Sequence, residues 1–183
     1  MHASLSDVIA DTAQNSIEAG ASRVEVSLVE DGETVAVRIV DNGKGMDEAT
    51  RRRVFDPFYT EAGKHDARKV GLGLPLLKQI CEDCEGALEL ESEKGVGTTL
   101  AYRFNAKNID LPPMGDVAKM VLTLMNYPGA FELVFSHRKG AEEYVIARSE
   151  LSDAVGGLES IESLALAGEF LAGQEEALNG GTT

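Results

Sequence analysis

The 183-residue chain lacks tryptophan and has only two cysteines and three histidines. Cys81 and Cys84 cannot supply a disulfide framework, so a reducing compartment is expected. No stretch approaches the ~18 consecutive apolar residues of a membrane span. The N-terminus also lacks the basic segment and apolar core of a secretory signal. These absences predict a cytoplasmic protein without a membrane segment.

Positive charge is also scarce. The chain has 31 acidic and 17 basic residues, a net charge of −14, which argues against nucleic acid or an anionic membrane as partner. Eight of the basic residues fall between Lys44 and Lys78, and none follows Arg148, whereas seven acidic residues do. This distribution fits either a local site for an anionic ligand or an ordinary solvated face.

Hydrophobic periodicity predicts the secondary structure. Apolar residues at helical spacing predict a helix over residues 4–19, with Ser4 or Ser6 as its cap and Gly20 as its stop. Alternating apolar residues predict hairpins over residues 23–41, 87–104 and 131–148, and further helices begin at Asp47 and near Gly71. The order predicts a two-layer α/β sandwich, with helices on one side of a mainly antiparallel or mixed sheet.

The segment "NAKNIDLPP" suggests a linker after the second hairpin, because it is polar and ends in two prolines. We therefore predict one domain over residues 1–104 and a small C-terminal α+β extension over residues 105–178. The helical pattern of residues 151–178 is weakened by Gly156, Gly157 and Gly168. Residues 179–183 are predicted to be a disordered tail.

The first chemically informative stretch is "DTAQNSIEAGAS", which begins at Asp11. Asp11 and Asn15 are one helical turn apart and project from the same face. The side-chain oxygen of Asn15 suits Mg²⁺, which takes few protein ligands and keeps phosphates and water. Asp11 can accept a hydrogen bond from a metal-bound water or act as a general base.

Three further motifs follow in order. "DNGKGM", from Asp41 to Met46, ends a strand with a carboxylate that can accept a hydrogen bond from an amino group, and its glycines let the backbone pass beneath a ring. "FDPFYT" precedes a loop with Lys64, His65, Arg68 and Lys69. "GLGL", residues 71–74, opens a helix, where backbone N–H groups and the helix dipole attract phosphate. "GVGTT", residues 95–99, adds a hydroxyl on a neighbouring strand.

Together these motifs resemble the Bergerat-fold nucleotide-binding domain of the GHKL superfamily, which includes gyrase, heat-shock chaperones, histidine kinases and MutL. The first motif is similar to the superfamily's N box, with an ending like that of MutL. "DNGKGM", "FDPFYT" and "GLGLPLLKQ" are similar to the first glycine box, the F box and the second glycine box of histidine kinases. The resemblance covers residues 5–104.

The resemblance implies that the chain binds ATP and Mg²⁺. Asn15 would coordinate the metal, Asp41 would bind the adenine amino group, and Asp11 would occupy the position of the acidic base. Phe55 and Phe58 would anchor a lid, and Thr98 or Thr99 would lie near the adenine. The implied nucleotide-binding residues are Asn15, Asp41, Gly43, Gly45, Met46, Phe58, Lys64, Arg68, Lys69, Gly71, Leu72, Gly73, Leu74 and Thr98.

Several of these positions have a simpler interpretation. The acid of the family is often glutamate, so Asp11 either serves as the base or only orients Asn15. The basic loop residues either contact phosphate or are solvated. The pair Cys81 and Cys84 lies at i, i+3 in a predicted helix without a second pair, which favours packing over metal or redox chemistry.

The histidines bear on function. His2, His65 and His137 lie at a terminus, in the predicted lid and on a predicted strand, and none is followed by an acid on a helix as in kinase phosphoacceptors. With little chain before the first motif, we expect a stand-alone regulatory ATPase or protein kinase that acts on a separate protein partner. Two alternatives are a non-catalytic ATP sensor that gates a partner complex, for example a redox complex, and an ATP-driven clamp that forms a homodimer.

Overall fold

The computed structural model describes residues 4–56 and 73–180. Six strands form one sheet: β1 (Arg23–Glu30), β2 (Thr34–Asp41), β3 (Ala87–Glu93), β4 (Gly97–Asn105), β5 (Glu132–Lys139) and β6 (Glu142–Ala147). Six helices accompany them: α1 (Leu5–Glu18), α2 (Glu48–Arg53), α3 (Gly73–Asp83), α4 (Val117–Met125), α5 (Arg148–Val155) and α6 (Ile161–Leu178).

The strand order is β3-β4-β2-β1-β5-β6. Every neighbouring pair is antiparallel except β1 and β5, which run parallel, with Val26 opposite Phe135. The mixed sheet that the sequence predicted is therefore confirmed. Strands β4 and β5 also run in the same direction, with β2 and β1 between them, so the chain from β4 to β5, including α4, crosses the sheet to connect them.

One face of the sheet is buried and the other faces solvent. Val26, Ile39 and Phe135 lie opposite one another in register and are buried. Arg38 and Glu25, at alternate positions of the same strands, are exposed. Because side chains alternate across a strand, all helices that cover the core must lie on one side. This arrangement confirms the predicted two-layer α/β sandwich.

Helices α3, α1, α4 and α6 pack side by side in that order over the buried face. Helix α1 is tied to the crossover at its first turn, where backbone N–H groups have no partner within the helix. The N–H of Leu5 donates to the carbonyl of Pro113, and the N–H of Ser6 donates to that of Met114, both at 2.8 Å. Ser4 is the N-cap of α1.

The predicted domain boundary after residue 104 remains a prediction, but strands from both sides of it share one sheet. In the C-terminal part, α5 ends at a left-handed Gly156 with φ +77°, and α6 begins at Ile161, so the helical pattern of residues 151–178 is divided. Asn179 caps α6 and accepts a 2.6 Å hydrogen bond from Lys139. Residues 181–183 of the predicted tail lie outside the described residues.

Across residues 4–56 and 73–180, no helix is both long and apolar enough to traverse a lipid bilayer.

Candidate functional site

Helix α1 brings the first motif against the start of α3. Asp11 and Asn15 are exposed on one side of α1. A Cβ placed on Gly73, the first residue of α3, would lie 3.6 Å from Cβ of Asp11 and 3.9 Å from Nδ2 of Asn15. The structure thus joins the predicted metal-binding helix to the glycine that opens the predicted phosphate-binding helix.

Asp41, the last residue of β2, is buried with 8% of its surface exposed. Its Oδ2 accepts a 2.6 Å hydrogen bond from the Ser16 hydroxyl, and its Oδ1 accepts a 2.9 Å hydrogen bond from the N–H of Gly43. A carboxylate has about four acceptor positions on its two oxygens. Asp41 can therefore accept a further hydrogen bond, for example from an exocyclic amino group.

The loop after β2 is tight for a side chain at Gly43 and has no room for one at Gly45. A Cβ on Gly43 would lie 3.0 Å from both Cβ and O of Ala19, and also from Oδ1 of Asp41. Gly45 has φ +59°, and a Cβ there would come within 1.9 Å of the carbonyl oxygen of Glu93. The loop therefore lies close to the end of α1 at Gly43 and close to the β3–β4 turn at Gly45.

The hydroxyl of Ser92 fixes the other side of this loop. It accepts a 2.9 Å hydrogen bond from the N–H of Met46, donates to the carbonyl of Gly97 at 3.1 Å, and lies 2.9 Å from Oγ1 of Thr98. Thr98 is paired with Asp41 in register and so shares its face of the sheet. Thr99 points to the open face, so Thr98 is the threonine on the side of the candidate site.

The predicted site residues that the structure describes form two clusters. Asp11, Asn15 and Gly73 meet at the junction of α1 and α3, with the half-buried Leu74 next along α3. Asp41, Gly43, Gly45, Met46 and Thr98 surround the end of β2. Helix α1 connects the clusters, because Ser16 follows Asn15 directly and reaches Asp41. Predictions on Phe58, Lys64, Arg68, Lys69, Gly71 and Leu72 lie outside the described residues.

Sequence reasoning overlooked two contributors. Ser16 carries a detectable signal, because Thr12 and Ser16 place two hydroxyls one turn apart on the otherwise apolar, buried side of α1. Ser92 carries no such signal. Its role depends on the β3–β4 register, which brings it opposite Thr98.

The two cysteines are both free and buried. Burial, together with the neighbouring Cys84, raises the pKa of the Cys81 thiol to about 12, so it remains protonated at neutral pH. Its Sγ donates to the carbonyl of Ala87 at 3.7 Å. A buried, protonated thiol agrees with packing and not with metal or redox chemistry.

A model of the protein family described as "Histidine kinase-, DNA gyrase B-, and HSP90-like ATPase" matches residues 2–108. Among curated proteins, the heme sensor protein HssS of Staphylococcus saprophyticus is 35% identical over 104 residues, 57% of this chain and 22% of its own length. The sensor histidine kinase YxdK of Bacillus subtilis is 31% identical over 86 residues, 46% of this chain and 26% of its own length. The chain thus spans about a quarter of the length of these relatives.

Among solved structures, the N-terminal domain of a DNA repair protein covers 88% of this chain and 58% of its own length, with a TM-score of 0.59 and 15% identity. At that identity the likeness shows the fold alone. It extends past residue 108, so the fold of the C-terminal part is also represented. The mycobacterial sensor histidine kinase MprB covers 54% of this chain and 69% of its own, at 25% identity and a TM-score of 0.43.

Proposed function

The chain belongs to the family of histidine kinase-, DNA gyrase B- and HSP90-like ATPases, as its four motifs predicted, and from that membership we propose that it binds ATP with Mg²⁺ and acts as a regulatory ATPase or protein kinase on a separate protein. The nucleotide would lie between α1, the end of β2 and the start of α3. The observation that carries the proposal is the environment of Asp41.

Asp41 fits a purine. It is buried, oriented by Ser16 and Gly43, and retains acceptor capacity. The loop beside it carries glycine at positions 43 and 45, where a Cβ would meet close neighbours, and backbone without side chains there could lie beneath a ring. A buried carboxylate needs hydrogen-bond donors, and an adenine amino group supplies one with the right polarity.

The junction of α1 and α3 fits a metal triphosphate. Asn15 offers an exposed amide oxygen, and Asp11 offers a carboxylate one turn away. Gly73 lies beside both and begins an eleven-residue helix, whose N-terminal N–H groups favour anions. When bound, Mg²⁺ would neutralise charge on the phosphate oxygens. Asn15 would hold the ion, and Asp11 would accept a proton from water or a substrate hydroxyl.

The phosphoryl acceptor is proposed to lie on another protein. His137, the histidine within the described residues, is 1% exposed, and its ring nitrogens lie 2.9 Å from Oε1 of Glu175 and 3.0 Å from Oε1 of Glu30. An imidazole occupied on both nitrogens and shielded from solvent cannot attack a phosphate. This placement supports transfer to a partner, or hydrolysis, over modification of His137.

Titration calorimetry with ATP, with and without Mg²⁺, tests the site. Asp41→Asn should weaken ATP binding by about ten- to a hundredfold, because a hydrogen bond to a charged group contributes about 1.5–3 kcal/mol. Asn15→Ala should remove the dependence of affinity on Mg²⁺. Glu89→Gln, on the exposed side of β3, is the control and should bind as the wild type does. Wild-type affinity in Asp41→Asn would contradict the assignment.

A non-catalytic ATP sensor is the second candidate, because the C-terminal part contacts the helix that carries Asn15. Tyr127, after α4, donates a 2.8 Å hydrogen bond to Glu18 and receives one of 3.2 Å from Gln14. These hydrogen bonds could transmit a movement of α1 on nucleotide binding to the C-terminal part. Intact ATP binding without release or transfer of the γ-phosphate, in the presence of the partner, would favour this candidate.

A further inference from the structure

Helix α6 has a second apolar face besides the one it buries. Ala167, Leu171 and Leu178 face the core. Leu166 and Phe170 keep 55% and 46% of their surfaces exposed. At 3.6 residues per turn, Leu166, Phe170 and the exposed Ala177 fall within about 40° of one another. We call Leu166, Phe170, Gly173 and Ala177 the α6 outer face.

Helix α6 is the last in the series α3, α1, α4 and α6, and it also contacts α5. Gly168 of α6 faces α4, because a Cβ there would lie 3.5 Å from Leu122. Phe170, two residues later, is about 160° away from Gly168 around the helix axis. The outer face therefore points away from α4, the neighbour of α6 in the helix layer.

Among residues 4–56 and 73–180, none packs against the position of a Cβ on Gly173. Gly173 lies inside an 18-residue helix, where glycine is less favourable than alanine, yet a Cβ there would meet nothing within 4 Å. Gly168, in contrast, packs against Leu122. A glycine on an exposed helix face leaves room for the close approach of another backbone, so Gly173 is compatible with an occupant of the same face.

Charge defines what that occupant can be. Glu162, Glu169 and Glu176 are exposed and spaced seven residues apart, so they form a row along α6 beside the outer face. The chain has no basic residue after Arg148. A second copy of α6 would bring glutamates against glutamates, and an anionic membrane would be repelled. A helix with an apolar seam and basic flanks is complementary to the apolar outer face and to the glutamate row beside it.

We propose that the α6 outer face docks a basic amphipathic helix of a separate protein, with Leu166 and Phe170 as apolar anchors, Gly173 as the point of closest approach and the glutamate row as the charged flank. The proposal rests on the proposed function to the extent that a separate partner is required. It concerns α6, which lies beyond α4 from the helix that contacts Asp41, and it can be tested independently.

The probe is a synthetic amphipathic peptide of the length of α6, with leucine and alanine along one face and lysine and arginine beside it. Its counterpart carries glutamate at every basic position. Binding of each labelled peptide to the full chain is followed by fluorescence anisotropy, at low and high salt. The basic peptide should bind and the acidic one should not, and affinity should fall as salt rises.

Substitutions then locate the binding surface. Phe170→Ser should weaken binding of the basic peptide at least tenfold, and the triple change Glu162→Gln, Glu169→Gln, Glu176→Gln should remove the salt dependence. Neutralising Glu89 and Glu91, exposed acids of β3, is the matched control and should change neither. Binding that is indifferent to the α6 substitutions would overturn the proposal.

Gly173→Ala should change the stability of the free chain and its affinity for the peptide in opposite directions. Alanine should stabilise the free chain, because it favours the helix, but should weaken peptide binding by blocking close approach. Stabilisation without loss of affinity would contradict the role of Gly173. A concentration-dependent rise in mass that Phe170→Ser abolishes would identify a second copy as occupant and refute a separate partner.

Calorimetry with ATP separates failure of the docking proposal from failure of the proposed function. If the variants bind ATP as the wild type does and the basic peptide binds nowhere, the docking proposal alone fails. If the wild type binds no ATP, the proposed function fails whatever the peptide does.

Discussion

The hydroxyl of Ser16, on α1, donates a 2.6 Å hydrogen bond to Oδ2 of Asp41, at the end of β2. Both side chains are buried. The bond ties the helix that carries Asn15 to the carboxylate proposed to bind adenine. The positions of Asn15, the proposed metal ligand, and Asp41 are therefore linked through adjacent residues of one helix.

Ser16→Ala should weaken ATP binding without abolishing it. The substitution leaves Asp41 with one orienting donor, the N–H of Gly43. The lost hydrogen bond to a charged group is worth about 1.5–3 kcal/mol, which is divided between the free energy of unfolding and the free energy of ATP binding. Urea unfolding and calorimetry together measure the two parts. Ser27→Ala, on the open face of the sheet, is the control. If Ser16→Ala matches Ser27→Ala in both measurements, Ser16 does not orient Asp41.

Asp11→Asn should preserve ATP affinity within about twofold and lower turnover at least tenfold, since a positioned general base contributes roughly 10²–10⁴-fold. An amide keeps the size of the side chain but cannot take a proton. Phosphate release or transfer to the partner is the measurement. Asp11→Glu, which restores a carboxylate, should recover activity. Equal turnover of Asp11→Asn and wild type would show that Asp11 only orients Asn15.

Gly97→Ala should destabilise the fold by at least about 2 kcal/mol, because a left-handed backbone and a steric clash add together. Gly97 has φ +141°, and a Cβ there would lie 2.0 Å from the carbonyl oxygen of Asp41. Gly95→Ala is the control: its φ is +81° and a Cβ would meet nothing within 4 Å, so only the backbone cost of about 1 kcal/mol applies. Urea unfolding compares them, and equal losses would contradict the clash.

The stability of the fold should fall as pH rises above about 6.5 because of His137. Burial alone would lower the pKa of His137, but hydrogen bonds to Glu175 and Glu30 outweigh it and raise that pKa. Carboxylates only accept, so both ring nitrogens donate and the ring is charged. The native state therefore binds more protons than the unfolded state in this range, and stability falls as the folded histidine loses its proton.

Glu30 sets a lower pH limit to the range in which this cluster stabilises the fold. The hydrogen bond from His137 lowers the pKa of Glu30, and Lys139 of β5, 3.7 Å away, lowers it further. The stability that the Glu30 carboxylate contributes is therefore lost as pH falls below about 4.5 and the carboxylate takes up a proton. Tyr144 of β6 donates to Glu175 and, with a raised pKa, remains neutral. Urea unfolding at several pH values should show a steeper decline above pH 6.5 in wild type than in His137→Gln. Parallel curves would contradict a charged His137.

Local signals made much of the fold predictable. The Ser4 cap sets the start of α1, and Asp31 accepts hydrogen bonds from the N–H groups of Glu33 and Thr34, which closes the first hairpin. The break between α5 and α6 was harder to predict, because each glycine shifts helix stability only modestly and the left-handed cap at Gly156 decided the boundary.

Non-local relationships were not predictable in the same way. The parallel pairing of β1 with β5 joins residues over 100 positions apart, and no local pattern specifies it. In the candidate site, Asp11, Asn15 and Asp41 follow from motif spacing. The Ser92 hydroxyl gains its role only through strand register, and the proximity of Gly73 to Asn15 only through packing of α3 on α1.

The carbonyls of Pro113 and Met114 that receive the first N–H groups of α1 lie beyond residue 108, where the family match ends. A fragment that contains only residues 2–108 would therefore lack the acceptors for the N–H groups of Leu5 and Ser6 in the first turn of α1. In this chain the first turn of the family-matched region therefore depends on backbone acceptors that lie outside that region.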